Sequence, residues 1–131
     1  MQLTRKILCI EDDPDTSKLI AHILRRKGYE VILAIGGKAG IEAVRQHRPD
    51  LVLLDLMMPE VDGWEVFRHM KADPNLDGIP VIAVTAKSHS IDRVMALNIA
   101  KVNDYVTKPF LPDDLLRRVH NILNNDEDAS S

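Results

Sequence analysis

Four short apolar runs in this chain stop at residues that can do chemistry. Ile7–Ile10 gives way to Glu11, Asp12 and Asp13, and Leu51–Leu54 to Asp55. Val81–Val84 gives way to Thr85, and the brief run Asp104–Val106 is followed by Lys108 and Pro109. If each run is a parallel strand, these residues leave the sheet at its carboxyl edge, where ligands of open α/β sheets bind. Carboxylates, one hydroxyl and one ammonium group would then converge. Carboxylates crowded into a partly desolvated cleft repel one another unless a cation offsets them. All-oxygen donors with no cysteine or histidine beside them select a hard divalent ion, and a few carboxylates plus waters suit Mg²⁺. An aspartate beside such an ion can attack a phosphoryl group and carry it as an acyl phosphate. A lysine and a hydroxyl at the same edge would offset charge on the phosphoryl oxygens.

The elements that must position these groups can be read from periodicity. Val31–Ala34 completes a set of five strand candidates, and three of the five are almost purely apolar, as expected of strands covered on both faces. Between them lie helical stripes: Leu19, Ile20, Ile23 and Leu24; Ala39, Ala43 and Val44; Trp64, Phe67 and Met70. Two more follow, Ile91, Val94, Met95 and Asn98, then Leu115, Leu116, Val119, Ile122 and Leu123. All five stripes are expected to face the core. Asp13-Pro14 opens the first helix as cap and first-turn residue, and Gly28 follows its end. Repeated strand–helix units with short connections imply right-handed crossovers. The expected architecture is an α/β three-layer doubly wound sandwich with a five-stranded parallel sheet and five helices.

Bulk properties narrow the function. The chain has 131 residues and a net charge of −3, which fits one domain and gives no reason to expect direct nucleic-acid or membrane binding. The basic clusters Arg25-Arg26-Lys27 and Arg117-Arg118 fall late in predicted helices, where cations complement the dipole. Cys9, the only cysteine, sits in an apolar run and reads as a buried structural thiol. The five histidines show no metal-ligand spacing. Neither a signal-peptide core nor a membrane-spanning stretch is present, so a cytoplasmic location is expected. The expected division is a folded domain over 1–124 and a frayed, polar, acidic tail over 125–131.

The residues that carry the chemistry also carry a resemblance. Ile7-Leu8-Cys9-Ile10-Glu11-Asp12-Asp13-Pro14-Asp15, Asp50 to Pro59 with Asp62-Gly63, Pro80 to Ala86, and Asp104 to Phe110 occur in order at matching separations. Over nearly its whole length the chain resembles the receiver domains of two-component response regulators, in particular the single-domain, chemotaxis-regulator-like kind. The resemblance implies a flavodoxin-like strand order of 2-1-3-4-5 and a phosphoacceptor at Asp55. It implies Mg²⁺, with Mn²⁺ as a substitute, on Asp12, Asp55 and the Met57 carbonyl, with Glu11 acting through water. It assigns Thr85 and the Ala86 backbone to the phosphoryl group, Tyr105 to a rotating aromatic switch and Lys108 to phosphoryl pairing. A cis peptide before Pro109 would aim Lys108 into the site. The implied donor is a histidine kinase or a histidine phosphotransfer protein. The implied output is a change in the surface of the fourth helix, fifth strand and fifth helix, which alters binding to a downstream protein; homodimerisation is left open.

Blander roles stand beside several of these. Asp13 and Asp15 suit a first helical turn, Asp62 a turn before Gly63, and Glu60 a solvent-facing position. Thr85 could simply cap, and Tyr105 could be a core tyrosine at the sheet's edge. Met57 and Lys87 are expected to border the site and tune hydrolysis. Where the family often has Gly-Ala before the fifth strand, this chain has Lys101-Val102, so Lys101 is either strained in a left-handed turn or the turn is built differently. Three other readings compete. A haloacid-dehalogenase-like phosphatase needs a second aspartate where Met57 stands. An FMN carrier would find its phosphate repelled by Glu11-Asp12-Asp13. A degenerate receiver would lack site residues that are all present here. The expectation is a non-enzymatic switch, acting as a stand-alone receiver rather than as one cut from a longer regulator or hybrid kinase.

Overall fold

The computed structural model describes residues 4–86 and 89–130, with side chains to 124, so Lys87 and the side chains of the expected tail lie outside the described residues. The chain runs β1 (Lys6–Glu11), α1 (Pro14–Arg25), β2 (Glu30–Ile35), α2 (Gly37–His47) and β3 (Leu51–Leu54). It continues through α3 (Gly63–Ala72), β4 (Val81–Thr85), α4 (Ser90–Val94), a π-helical segment (Met95–Ala100), β5 (Asp104–Thr107) and α5 (Pro112–Ser130). The five strands are parallel in the order β2-β1-β3-β4-β5, the expected topology. β3 lies centrally, and the direction of winding reverses between it and β1, which opens the crevice at the carboxyl edge between these two strands.

Alternation along the strands builds two cores. Leu8 and Ile10, Val52 and Leu54, Ala83 and Tyr105 face one side, where Val44, Val66, Phe67 and Met70 pack on them. Ile7 and Cys9, Leu51 and Leu53, Ile82 and Val84 face the other, under Ile20, Leu24, Leu115, Val119 and Leu123. Cys9 is thus the buried thiol expected of it, and burial, reinforced by Glu11, pushes its pKa up to about 12. Two acids start helices: Asp13 accepts from the Thr16 amide at 3.3 Å, and Asp62 from the Glu65 amide at 2.9 Å.

Three of the expected core stripes need correction. Leu19 is half exposed, and its place on α1 is taken by Ser17 and Ala21. On α2 Ala39 faces solvent while Gly40 is buried, with room for no more than a hydrogen because a Cβ there would lie 2.6 Å from Ile10 Cγ2. The α4 stripe is wrong as a whole. Ile91 is 70% exposed, Val94 and Met95 50% each, Asn98 is exposed, and only Ala96 is fully buried on this segment. Apolar spacing fixes which residues share a face, but not whether a neighbour covers that face. The segment ends at Lys101 with φ 65° and ψ 43°, so the lysine does occupy the left-handed region.

Candidate functional site

β1 and β3 set the acidic residues side by side. Ile10 pairs with Leu54, and the amide of Asp55 donates to the Ile10 carbonyl at 3.0 Å, which fixes the end of β3 against the end of β1. Glu11 and Asp55 are buried, at 2% and 4% exposure, and Asp12 is half-buried. One carboxylate oxygen from each of Glu11, Asp12 and Asp55 lies within 4.8 Å of the others. The donor set is all oxygen, the chemistry of a hard divalent cation, and it fits Mg²⁺.

Lys108 closes the cleft from β5. Its Nζ donates to Glu11 Oε2 at 2.5 Å and to Asp55 Oδ2 at 3.1 Å. Its own amide donates to the Thr85 carbonyl at 2.9 Å, and the Lys108–Pro109 peptide is cis. Burial opposes charge on Lys108, but the hydrogen bond to Glu11 and the field of Asp55 outweigh it and hold the ammonium above its ordinary pKa. Burial raises the Glu11 carboxyl well above the usual range, with Asp55 adding repulsion and Lys108 offsetting part of it. The cleft therefore holds more carboxylate than one lysine neutralises.

The remaining expected site residues fall around this centre. Met57 N donates to Asp55 Oδ1 at 2.9 Å while its side chain is half exposed, so the residue borders the cleft. Thr85 ends β4 fully buried, and Ala86 follows it at the surface. Tyr105 is 1% exposed, inside the core rather than rotated out. Asp13, Asp15 and Glu60 are exposed, in keeping with their blander roles, and Asp62 is a helix cap rather than a site group.

Two contributors were not anticipated. A Cβ on Gly63 would sit 2.2 Å from the Asp55 carbonyl oxygen and 2.6 Å from Leu56 Cα, so glycine lets α3 start directly against the loop that follows Asp55. The Asp62-Gly63 pair signalled a turn, but the close approach depends on residues distant from a local reading. Arg93 of α4 lies with its guanidinium carbon 5.6 Å from the Tyr105 ring centroid and donates to the Tyr105 carbonyl at 3.5 Å. Nothing in the sequence marks that arginine.

Fold and cleft together define a doubly wound α/β domain with a lysine-closed acidic cleft at the carboxyl edge of its sheet. The chain belongs to the response regulator receiver domain family of two-component systems, whose sequence profile matches residues 7–120. It is 39% identical over 126 residues to the DNA-binding response regulator MtrA of Mycolicibacterium smegmatis, covering 96% of this chain and 54% of that protein. It is 38% identical over 117 residues to hybrid signal transduction histidine kinase D of Dictyostelium discoideum, covering 89% of this chain and 7% of that protein. The chain thus spans about half the length of the regulators it matches. Among solved structures, the receiver domain of a Pseudomonas aeruginosa sensor histidine kinase aligns with a TM-score of 0.83 at 33% identity, over 93% of this chain and 99% of that one; it carries a magnesium ion coordinated in its active-site cleft. A response regulator from Chloroflexus aurantiacus aligns with a TM-score of 0.86 at 29% identity, over 93% and 99%. No described helix is long and apolar enough to cross a membrane.

Proposed function

We propose that the domain is a phosphoacceptor switch rather than a turnover enzyme, and that a histidine kinase or histidine phosphotransfer protein delivers a phosphoryl group to Asp55. The observation that carries this reading is the buried Asp55 carboxylate, within 4.8 Å of the Glu11 and Asp12 oxygens and bonded to Lys108 at 3.1 Å. An oxygen of Asp55 attacks phosphorus, the P–N bond of the phosphohistidine breaks, and its electron pair leaves on the imidazole nitrogen. The product is an acyl phosphate. Asp12, Asp55 and the Met57 carbonyl would hold Mg²⁺, or Mn²⁺ in its place, with Glu11 acting through water. When bound, the ion supplies positive charge against the phosphoryl oxygens.

Lys108 then exchanges its bond to Asp55 for one to the phosphoryl group. The Thr85 hydroxyl and the Ala86 amide donate to the remaining oxygens. Movement of Thr85 repositions α4, whose Arg93 lies over Tyr105, and so alters the surface of α4, β5 and α5. The effect is a population shift, since the phosphoryl group acts only through its different interaction with the two states. The output is binding to a downstream protein, with no direct nucleic-acid contact by this domain. The proposed setting is the cytoplasm.

Intact-protein mass after incubation with acetyl phosphate and Mg²⁺ tests the reading, with Asp55→Asn alongside. One added phosphoryl mass is expected in the wild type and none in the variant. Mg²⁺-dependent labelling of Asp55→Asn at another residue would overturn the assignment.

A further inference from the structure

Two of the four apolar residues that α4 and the π-helical segment leave exposed, Met95 and Ile99, share one groove. Arg93 turns toward β5, where it lies over Tyr105. Met95, Ile99 and Asp92 turn the other way, toward α3, and with Trp64 and Arg68 they bound a groove of about 400 Å³. Leu56, the residue after Asp55, lies in its wall, as does Ala100. That volume accommodates one or two large side chains. Its wall is built by the π-helical segment, a rare element found often at functional sites.

Charge decides what the groove accepts. Asp62 and Asp92 stand on its rim against the single cation Arg68, and none of the three makes an ion pair among the described residues. The Trp64 ring adds a face that attracts cations. An anionic occupant would meet two carboxylates, whereas a basic one meets two partners and an aromatic ring. The exposed apolar surface of Met95 and Ile99, at 50% and 67%, supplies the remaining contact.

We propose that the groove between α3 and α4 is a docking site for a partner segment that presents adjacent bulky apolar side chains flanked by arginine or lysine. This surface is separate from the α4–β5–α5 face, because the two use opposite sides of α4. It does not require the phosphoryl group, so its failure would leave the Asp55 chemistry standing.

Trp64 is the chain's only tryptophan and reports on the groove directly. The probe is an end-blocked tetrapeptide of two central leucines flanked by arginines, compared with its glutamate-flanked counterpart. The arginine peptide should change Trp64 emission saturably, and amide resonances should shift at Trp64, Met95 and Ile99. The glutamate peptide should bind at least about fivefold more weakly, as expected on losing exposed ion pairs. Asp92→Lys combined with Ile99→Ser should abolish the response while circular dichroism stays native, and Leu19→Ser on the far face should leave it unchanged. No saturable change by about 10 mM, equal binding of the two peptides, or shifts centred on α5 would overturn the proposal. So would a Trp64 change that follows protein concentration without peptide, since the occupant would then be a second copy.

Discussion

The ends of β1 and β3 and the segment from α4 to β5 flank the same cleft, yet they are packed in opposite ways. Every residue from Ile7 to Glu11 and from Leu51 to Leu56 is buried, and the acids at their ends are fixed by backbone hydrogen bonds between the strands. Between Ser90 and Ala100 only Ala96 is buried, and Ile91, Val94, Met95 and Ile99 stand at least half exposed. The first region positions charges that must not move. The second has little apolar burial to hold one arrangement over another, so it is the side that the proposed switch would reposition through Thr85. Under the proposed switch, rigidity and response are divided between the two sides of the cleft.

If the β1–β3 side is as closely fitted as its geometry indicates, Gly63→Ala should cause the largest loss. The added methyl meets backbone atoms of Asp55 and Leu56, which cannot rotate away. α3 must shift instead, at about 3 kcal/mol by the usual range for overpacking. Urea unfolding should show that loss, and acetyl phosphate labelling should slow with it because Asp55 is displaced. Unchanged stability would mean that this side is also deformable, and the contrast would collapse.

The same contrast sorts what was legible in the sequence. The five strands and the convergence of Glu11, Asp12, Asp55 and Lys108 followed from where apolar runs stop, because a strand buried on both faces leaves an unambiguous pattern, whereas the strand order followed from the resemblance to receiver domains. The α4 stripe was misread because the same spacing describes a covered face and an open one. Leu19 failed for the same reason on α1. The Gly63 approach and the Arg93–Tyr105 contact depend on tertiary neighbours, which no local spacing encodes. The left-handed Lys101 was signalled by a substitution in a turn that usually carries glycine.

A smaller effect should appear in the pH dependence of the metal-free protein. Burial, aided by Asp55 and partly opposed by Lys108, pushes Glu11 up to about 7 from 4.5. Its folded pKa exceeds its unfolded one, so the folded state holds the proton more tightly. The associated stability is fully present below about pH 4.5 and is lost as pH rises through about 7. With EDTA present, Tm should fall by a few degrees between pH 5 and 7.5, and Glu11→Gln should flatten that slope. Mg²⁺ should reverse the fall at the upper end. A slope unaltered by Glu11→Gln would show that crowding at β1 is not its source.

The smallest expected effect separates burial from backbone strain as the source of the contrast. Lys101 ends the π-helical segment at φ 65°, while on the β1–β3 side Arg48, at φ 44° between α2 and β3, and Glu60, at φ 65° in the loop after β3, also occupy the left-handed region. Replacing Lys101 or Arg48 with glycine relieves about 1 kcal/mol of steric cost, reduced somewhat by the entropy glycine adds to the unfolded chain. Lys101→Gly and Arg48→Gly should therefore raise the urea midpoint by similar amounts with no change in slope. Equal gains would leave burial as the difference between the two regions, because strain would be common to both. A gain at Arg48 with none at Lys101 would mean that the turn before β5 relaxes without glycine. A larger gain at Lys101, with slower labelling, would mean instead that strain in this turn helps α4 change position, and the responsive side of the cleft would then be held under tension as well as loosely covered.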